Sequence, residues 1–279
     1  VTKTAVPQIT KNIITSQPIV IPVFHEVAIK LLQMMNDNSY TIEEVSSLIH
    51  EDQALSLQMI KQANSTFNSG KSPITTIKNA IIRLGAQQIV NLAFSASMSH
   101  AKSNNPVINA HMVNLYHHSC AVAKTSAYLA LKIRHDRKLT ELNHDEVYLA
   151  GLLHDVGKLY ILKVIDNLII TGVIHPNNSV IEEVLLELNI QEGIKVLKHY
   201  NMPEIYSDVL SRLDDVNWKN GSNDYFVASV RLSNKLHNYI EHDIDISDSA
   251  NIADINDEML LLDVYSLPFI YNLAKAITV

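Results

Sequence analysis

Ala150-Gly151-Leu152-Leu153-His154-Asp155-Val156-Gly157-Lys158 sets an imidazole and a carboxylate side by side in an otherwise apolar run. Leu149, Ala150, Leu152 and Leu153 have helical spacing, so the segment faces a core. Charge buried in a core is costly unless it is paired or bound to a metal. The pair therefore marks a polar centre inside a helical protein.

Helical signals continue on both sides. Asn143, with Glu146 three residues on, opens the helix that carries His154. A long helix from about Val107 to Ile133 precedes it, with the charged stretch Arg134 to Glu141 as a loop. Gly157 is expected to break the His154 helix, and Leu159 to Ile169 continues as helix or short irregular structure. Further helices are predicted at Val180 to Leu188, Glu192 to Tyr200, Pro203 to Leu213 and Asp224 to Tyr239. A last one, Met259 to Ile277, is expected to be interrupted at Pro268.

The N-terminal third reads as an extended lead-in, residues 1–21, followed by five short helices. The first spans Phe24 to Met35. Thr41-Ile42-Glu43-Glu44 is a capping box and Asp52 a second cap, while Ser72-Pro73 pairs a cap with a first-turn Pro. Gly85 ends the fourth helix and the fifth runs to about Met98. Ala101 to Asn109, rich in Asn and containing Pro106, reads as a boundary. No internal repeat and no strand pattern emerges. The expected class is all-α: two packed helical subdomains, 22–104 and 105–279, forming one unit.

Composition narrows the function. Hydrophobic residues make up 47% of the 279, and 18% are charged, which marks a globular chain. No apolar run nears the roughly 18 residues that span a bilayer, and no signal-peptide pattern opens the chain, so no membrane is expected. The single Cys120 fits a reducing cytoplasm. Of the net charge of −7, seven acids without a Lys or Arg lie in residues 241–258, expected as a solvated acidic loop. No basic face suggests nucleic acid. Val1 in place of an initiator Met is consistent with a piece of a longer protein.

On the long helix, Leu115, His118 and Val122 share one face; on the late helix, Val227, Val230 and Asn234 do the same. Three helices can therefore gather His118, His154, Asp155 and Asn234. Such donors suit one divalent transition metal, which would activate water against a phosphoester. Equally, they make a set of buried polar groups bonded to one another, and that reading implies no cofactor. Lys158 can serve the helix end or pair with Asp155. Asn64-Ser65 can bind a ligand at a subdomain junction, or Asn64 can close its helix in a left-handed turn. His25, His50, His100, His135, His144, His175 and His242 lack a paired ligand spacing and read as surface or loop residues. His117 faces away from His118, and His111, His199 and His237 have no assigned role.

His118-Ser119, the His154 to Lys158 segment and Val230-Arg231-Leu232-Ser233-Asn234 together resemble the His…His-Asp…Asp pattern of the HD phosphohydrolase superfamily. Glu51 to Ser65 and Ile77-Lys78-Asn79-Ala80-Ile81-Ile82-Arg83-Leu84-Gly85 are similar to the HDOD family, HD-related output domains of bacterial signalling proteins. The resemblance runs from about Pro22 to about His237. It implies an HD-like C-terminal bundle and, in the enzymes, a metal site. In enzymes that the motif resembles, a Lys placed as Lys158 is can help neutralise a phosphate. The departures count against catalysis. The superfamily's last metal-ligand Asp falls at Asn234, and a common His falls at Asn189. A common His pair falls at Leu213 and Asp214. The resemblance thus implies a regulatory HDOD module with a degenerate site. Such a module would act on a signalling protein or small ligand, with a homodimer possible. The alternative is a metal-dependent phosphohydrolase acting on a nucleotide or other phosphoester.

Overall fold

Ala5–Ser16, expected as part of an extended lead-in, forms a helix, α1. Pro7 is its third residue, and a first-turn position has no intrahelical N–H bond to lose. Thr10 and Ile14 are buried on one face, and the buried Lys11 ammonium reaches Glu183 at 2.8 Å and also Glu187. The structure is a computed structural model that describes residues 5–16, 19, 23–37, 40–65, 73–175, 177–215, 225–247, 255, 258–259, 262 and 266–278. The fold is all-α, with no strand among the described residues. The chain divides into two compact units, Phe24–Ala101 and the combination of Val1–Val23 with Lys102–Val279.

The first unit holds α2 (Glu26–Asn36), α3 (Ile42–His50), α4 (Gln53–Ala63), α5 (Ile77–Leu84) and α6 (Ala86–Ser99). Its helix starts follow the caps. The capping box closes, with Thr41 Oγ1 accepting from Glu44 N and Glu44 accepting from Thr41 N at 2.8 Å, and Asp52 accepts from Leu55 N. Ser72 lies outside the described residues; α5 is instead capped by Thr76, so Pro73 stands before the helix rather than in its first turn. Phe24 packs edge-on against Phe94, among buried Leu31, Ile49, Leu55, Met59 and Ile89.

Asn64 is the helix C-cap, but at φ −97° it is not left-handed. Its amide is engaged elsewhere. Nδ2 donates to the Ile60 and Ile74 carbonyls at 3.0 and 2.7 Å, and Oδ1 accepts from Ile74 N at 2.8 Å. These bonds imitate a backbone pairing that ties the approach to α5 onto the end of α4. Asn64→Ala should therefore destabilise the protein by about 3 kcal/mol, at roughly 1 kcal/mol for each of the three bonds lost, measurable by urea unfolding.

The second unit adds α7 (Pro106–Arg137), α8 (His144–Leu153), α9 (Val156–Ile170), α10 (Asn178–His199), α11 (Glu204–Arg212), α12 (Tyr225–Glu241) and α13 (Leu267–Thr278). α7 outruns its expected end by a turn and stops at Lys138, which adopts φ 56°. Its start is fixed by Asn105, which accepts from Val107 N and Ile108 N ahead of Pro106. The two helices expected over 180–200 are one, since the residues between them include no breaker. Residues 258, 259 and 262 are helical and Ser266 is not, so the expected break falls just ahead of Pro268, which sits in the first turn of α13. Residues 248–254, 256 and 257 of the acidic stretch lie outside the described residues. The described part departs from a solvated loop at both ends. Glu241 finishes α12, and Glu258 is 1% exposed and accepts from Arg231 Nε at 2.7 Å and Lys235 Nζ at 3.0 Å. No helix among the described residues is long and apolar enough to cross a membrane.

Candidate metal centre

Two close helix crossings assemble the site. At the first, a Cβ on Gly151 would lie 2.7 Å from the Ala123 Cα, so glycine alone lets α8 come this near α7. That approach sets His154, the C-cap of α8, beside His118 of α7. The chain then turns at Asp155 (φ −115°, ψ 22°), two residues before the expected break. The turn explains how neighbours that an unbroken helix would splay by about 100° point into one centre. Gly157, already inside α9, serves the second crossing: a Cβ there would fall 1.9 Å from the Asn189 carbonyl oxygen of α10. α12 closes the group, its buried His237 Nε2 lying 2.8 Å from Thr125 Oγ1 of α7.

The donors converge. His118 Nε2 lies 3.2 Å from His154 Nε2 and 3.9 Å from Asp155 Oδ2, and His154 Nε2 is 3.4 Å from the same oxygen. Asn234 Oδ1 is 3.1 Å from His118 Nε2. A triangle with those three edges has its centre about 2.1 Å from each corner, the length of a Zn–N or Zn–O bond. The triad fits one metal ion, leaving positions open beyond the protein ligands. No other group of three His, Cys, Asp or Glu converges so closely among the described residues. Leu213 is buried and Asp214 exposed at the end of α11, so no second ligand set forms there.

Second partners fix which nitrogens face inward. His154 Nδ1 is 2.7 Å from the Gly151 carbonyl, which only accepts, so Nδ1 carries a proton and Nε2 is the nitrogen turned into the triad. His118 Nδ1 meets Glu241 Oε1 at 2.7 Å and is protonated for the same reason. The inward Nε2 atoms, the Asn234 oxygen and the carboxylate face one another, a setting that favours a positive charge on His118. Burial opposes that charge, but the Glu241 bond and the Asp155 charge outweigh it and raise the His118 pKa.

Asp155 is closed on both sides. Asn189 Nδ2 donates to Oδ1 at 2.6 Å, and the Lys158 ammonium sits 2.6 Å from Oδ2. Burial pushes the carboxyl up, yet Lys158, His154 and His118 together hold it well below the usual range. Lys158 lies in the first turn of α9, where the dipole repels a cation, so the helix-end reading fails and the pairing with Asp155 holds it. The site opens into a cavity of about 560 Å3 bordered by Lys158, His111, Asn114, Glu182, Asn238 and Leu186.

Three participants escaped the sequence reading. Glu241 and His237 follow Asn234 at seven and three residues: His237 lies inside the helix as predicted, and the same spacing reaches Glu241 once α12 runs past Tyr239. Asn189 was noted only as a missing ligand, whereas it bonds Asp155. His25, His50, His100, His117, His135, His175 and His242 are exposed and His144 half-buried.

Two buried histidines give opposite pH responses. Burial, helped by the His118 charge, pushes His237 down to about 4. Its contribution to stability is thus complete above an ordinary His pKa of about 6.5 and lost as pH falls toward 4, amounting to about 3 kcal/mol. His118, raised, contributes fully below about 6.5 and loses that contribution as pH rises through its folded pKa. Urea unfolding from pH 7 to 4 should accordingly show a weaker acid-side decline in His237→Gln than in the parent. Equal slopes would count against a neutral, buried His237.

The HDOD domain model matches residues 21–215. The chain belongs to the HDOD family. Its fold is similar to a candidate metal-dependent phosphohydrolase from Shewanella amazonensis SB2B, at 20% identity over 98% of both chains with a TM-score of 0.72. An HDOD domain protein of unknown function from Geobacter sulfurreducens also matches over 98% of both chains, at 20% identity and TM-score 0.60. A candidate signal transduction protein from Marinobacter aquaeolei VT8 matches 99% of this chain and 65% of its own, at 17% identity and TM-score 0.58. No curated protein matches. At these identities the HDOD fold is what the structures share with this chain.

Proposed function

We propose that this HDOD protein is a regulatory module that binds a signalling protein or small ligand, with a pocket able to admit one metal but not built for turnover. The observation that carries this reading is the closure of Asp155. Both its oxygens have cationic or amide partners from the protein, and the fourth position is the neutral Asn234. Asp155 is paired with Lys158 and Glu241 with His118, so the pocket's own groups answer one another. The HD phosphohydrolase pattern, which the sequence resembles, would instead place a second carboxylate at position 234.

A second reading, metal-dependent hydrolysis of a nucleotide or other phosphoester, is favoured by the spacing of the triad. A bound metal would supply Lewis acidity and an activated water. His118, His154 and Asp155 would hold it, Glu241 and the Gly151 carbonyl would orient the imidazoles, and Lys158 would face the cavity. Metal analysis of protein purified without chelator separates the two. Much less than one transition metal per chain is expected. A stoichiometric metal that disappears in His154→Ala would favour the enzyme.

A further inference from the structure

We infer that Lys158 and a divalent metal compete for a single oxygen of Asp155, so that metal binding at the triad and oxyanion binding in the adjoining cavity are cooperative. The inference rests on the reading of the pocket as a metal-capable regulatory site, and it names how that site would be regulated.

Asp155 Oδ2 is a corner of the triad, 3.4 Å from His154 Nε2, and it is also the atom that the Lys158 ammonium holds at 2.6 Å. The other oxygen offers no escape, because Asn189 occupies Oδ1 at 2.6 Å while its own Oδ1 accepts from Lys158 N at 3.0 Å. A metal taking Oδ2 would share it with a second cation in a buried setting, where like charges repel strongly. One of the two must leave.

Lys158 is the group able to move. Its side chain is 32% exposed against 4% for Asp155 and none for His154, and it ends a flexible four-carbon stem at the cavity wall. Its place in the first turn of α9 already opposes a positive charge there, so turning outward relieves one unfavourable interaction as it breaks a favourable one. Lys158 is also the sole Lys or Arg among the cavity's lining residues. The lining acids have other partners: Glu241 holds His118, and Glu182 accepts from Asn178 at 2.7 Å. An oxyanion entering the cavity therefore meets the Lys158 ammonium as its counter-charge. Drawing that ammonium away frees Oδ2 for a metal, and linkage requires the metal to strengthen anion binding by the same factor.

The test measures Mn2+ binding to the full chain by the loss of the free-ion electron paramagnetic resonance signal. Sulfate serves as the oxyanion and is compared with chloride at equal ionic strength. Lys158→Met should bind Mn2+ about tenfold more tightly than the parent or more, and Lys158→Arg, which keeps the charge, should stay within about threefold of it. Sulfate should tighten Mn2+ binding about fivefold in the parent and leave Lys158→Met unchanged. Lys158→Gln, with an uncharged group that can still bond Asp155, carries the comparison if the Met variant does not fold by circular dichroism. The inference is overturned if the uncharged variant binds Mn2+ no more tightly, if sulfate has no effect on the parent, or if sulfate acts equally on both proteins. Phosphoester turnover by the parent would sink the regulatory reading and leave this competition standing, so the two failures are separable.

Discussion

Asn234→Asp is expected to raise transition-metal affinity by on the order of 100-fold, at the upper end of the 10–100-fold associated with an outer-shell partner. Residue 234 already points its oxygen to within 3.1 Å of His118 Nε2, so the substitution adds a negative charge without needing a new backbone position. The same change should lower stability in the metal-free protein, because a second carboxylate then joins Asp155 around His118 with no added counter-charge. The melting temperature of Asn234→Asp should thus fall below the parent's in chelator and rise above it with saturating Mn2+. A parent and variant with equal metal affinity would show that the amide is not what limits the site.

Gly157→Ala should be the more damaging change to the fold. The added methyl would occupy a point 1.9 Å from the Asn189 carbonyl oxygen and 2.7 Å from Gly193 N, both backbone atoms that cannot rotate aside. α9 and α10 must separate, at a cost of about 3 kcal/mol or more. Because Asn189 also bonds Asp155, the separation should disturb the metal centre as well. Urea unfolding checks the first effect. A loss under about 1 kcal/mol, the range of a tolerated core change, would mean that the crossing is less tight than drawn.

Much of this architecture could be read locally. The Thr41 capping box, the Asp52 cap, the Asn105-Pro106 start of α7 and the Asn143 cap of α8 are written in short-range chemistry, and each helix begins where its cap stands. The inward faces of α7 and α12 follow from helical spacing alone, which turns His118 and Asn234 toward the core. What escaped depends on partners distant in sequence. Gly157 resembled a breaker, but its missing side chain answers a carbonyl thirty-two residues away. Glu241 resembled the first of a run of solvated acids until α12 carried it to His118. α1 is obscured in the sequence by Pro7 and by Pro18 and Pro22 just beyond it, and what ties it down is distant in sequence, Lys11 meeting two glutamates of α10. Asn64 offered a ligand group in isolation, and only the return of the chain at Ile74 reveals a use for every atom of its amide.

The regulatory reading is tested most directly by turnover. The purified chain, supplied in turn with Mn2+, Fe2+, Ni2+ and Zn2+, is incubated with phosphomonoesters, phosphodiesters and nucleotides, and phosphate and product release are followed beside His154→Ala. Rates matching those of His154→Ala for every metal and substrate are the expected result. Metal-dependent hydrolysis by the parent that vanishes in His154→Ala would contradict the account and make the triad a working catalytic centre.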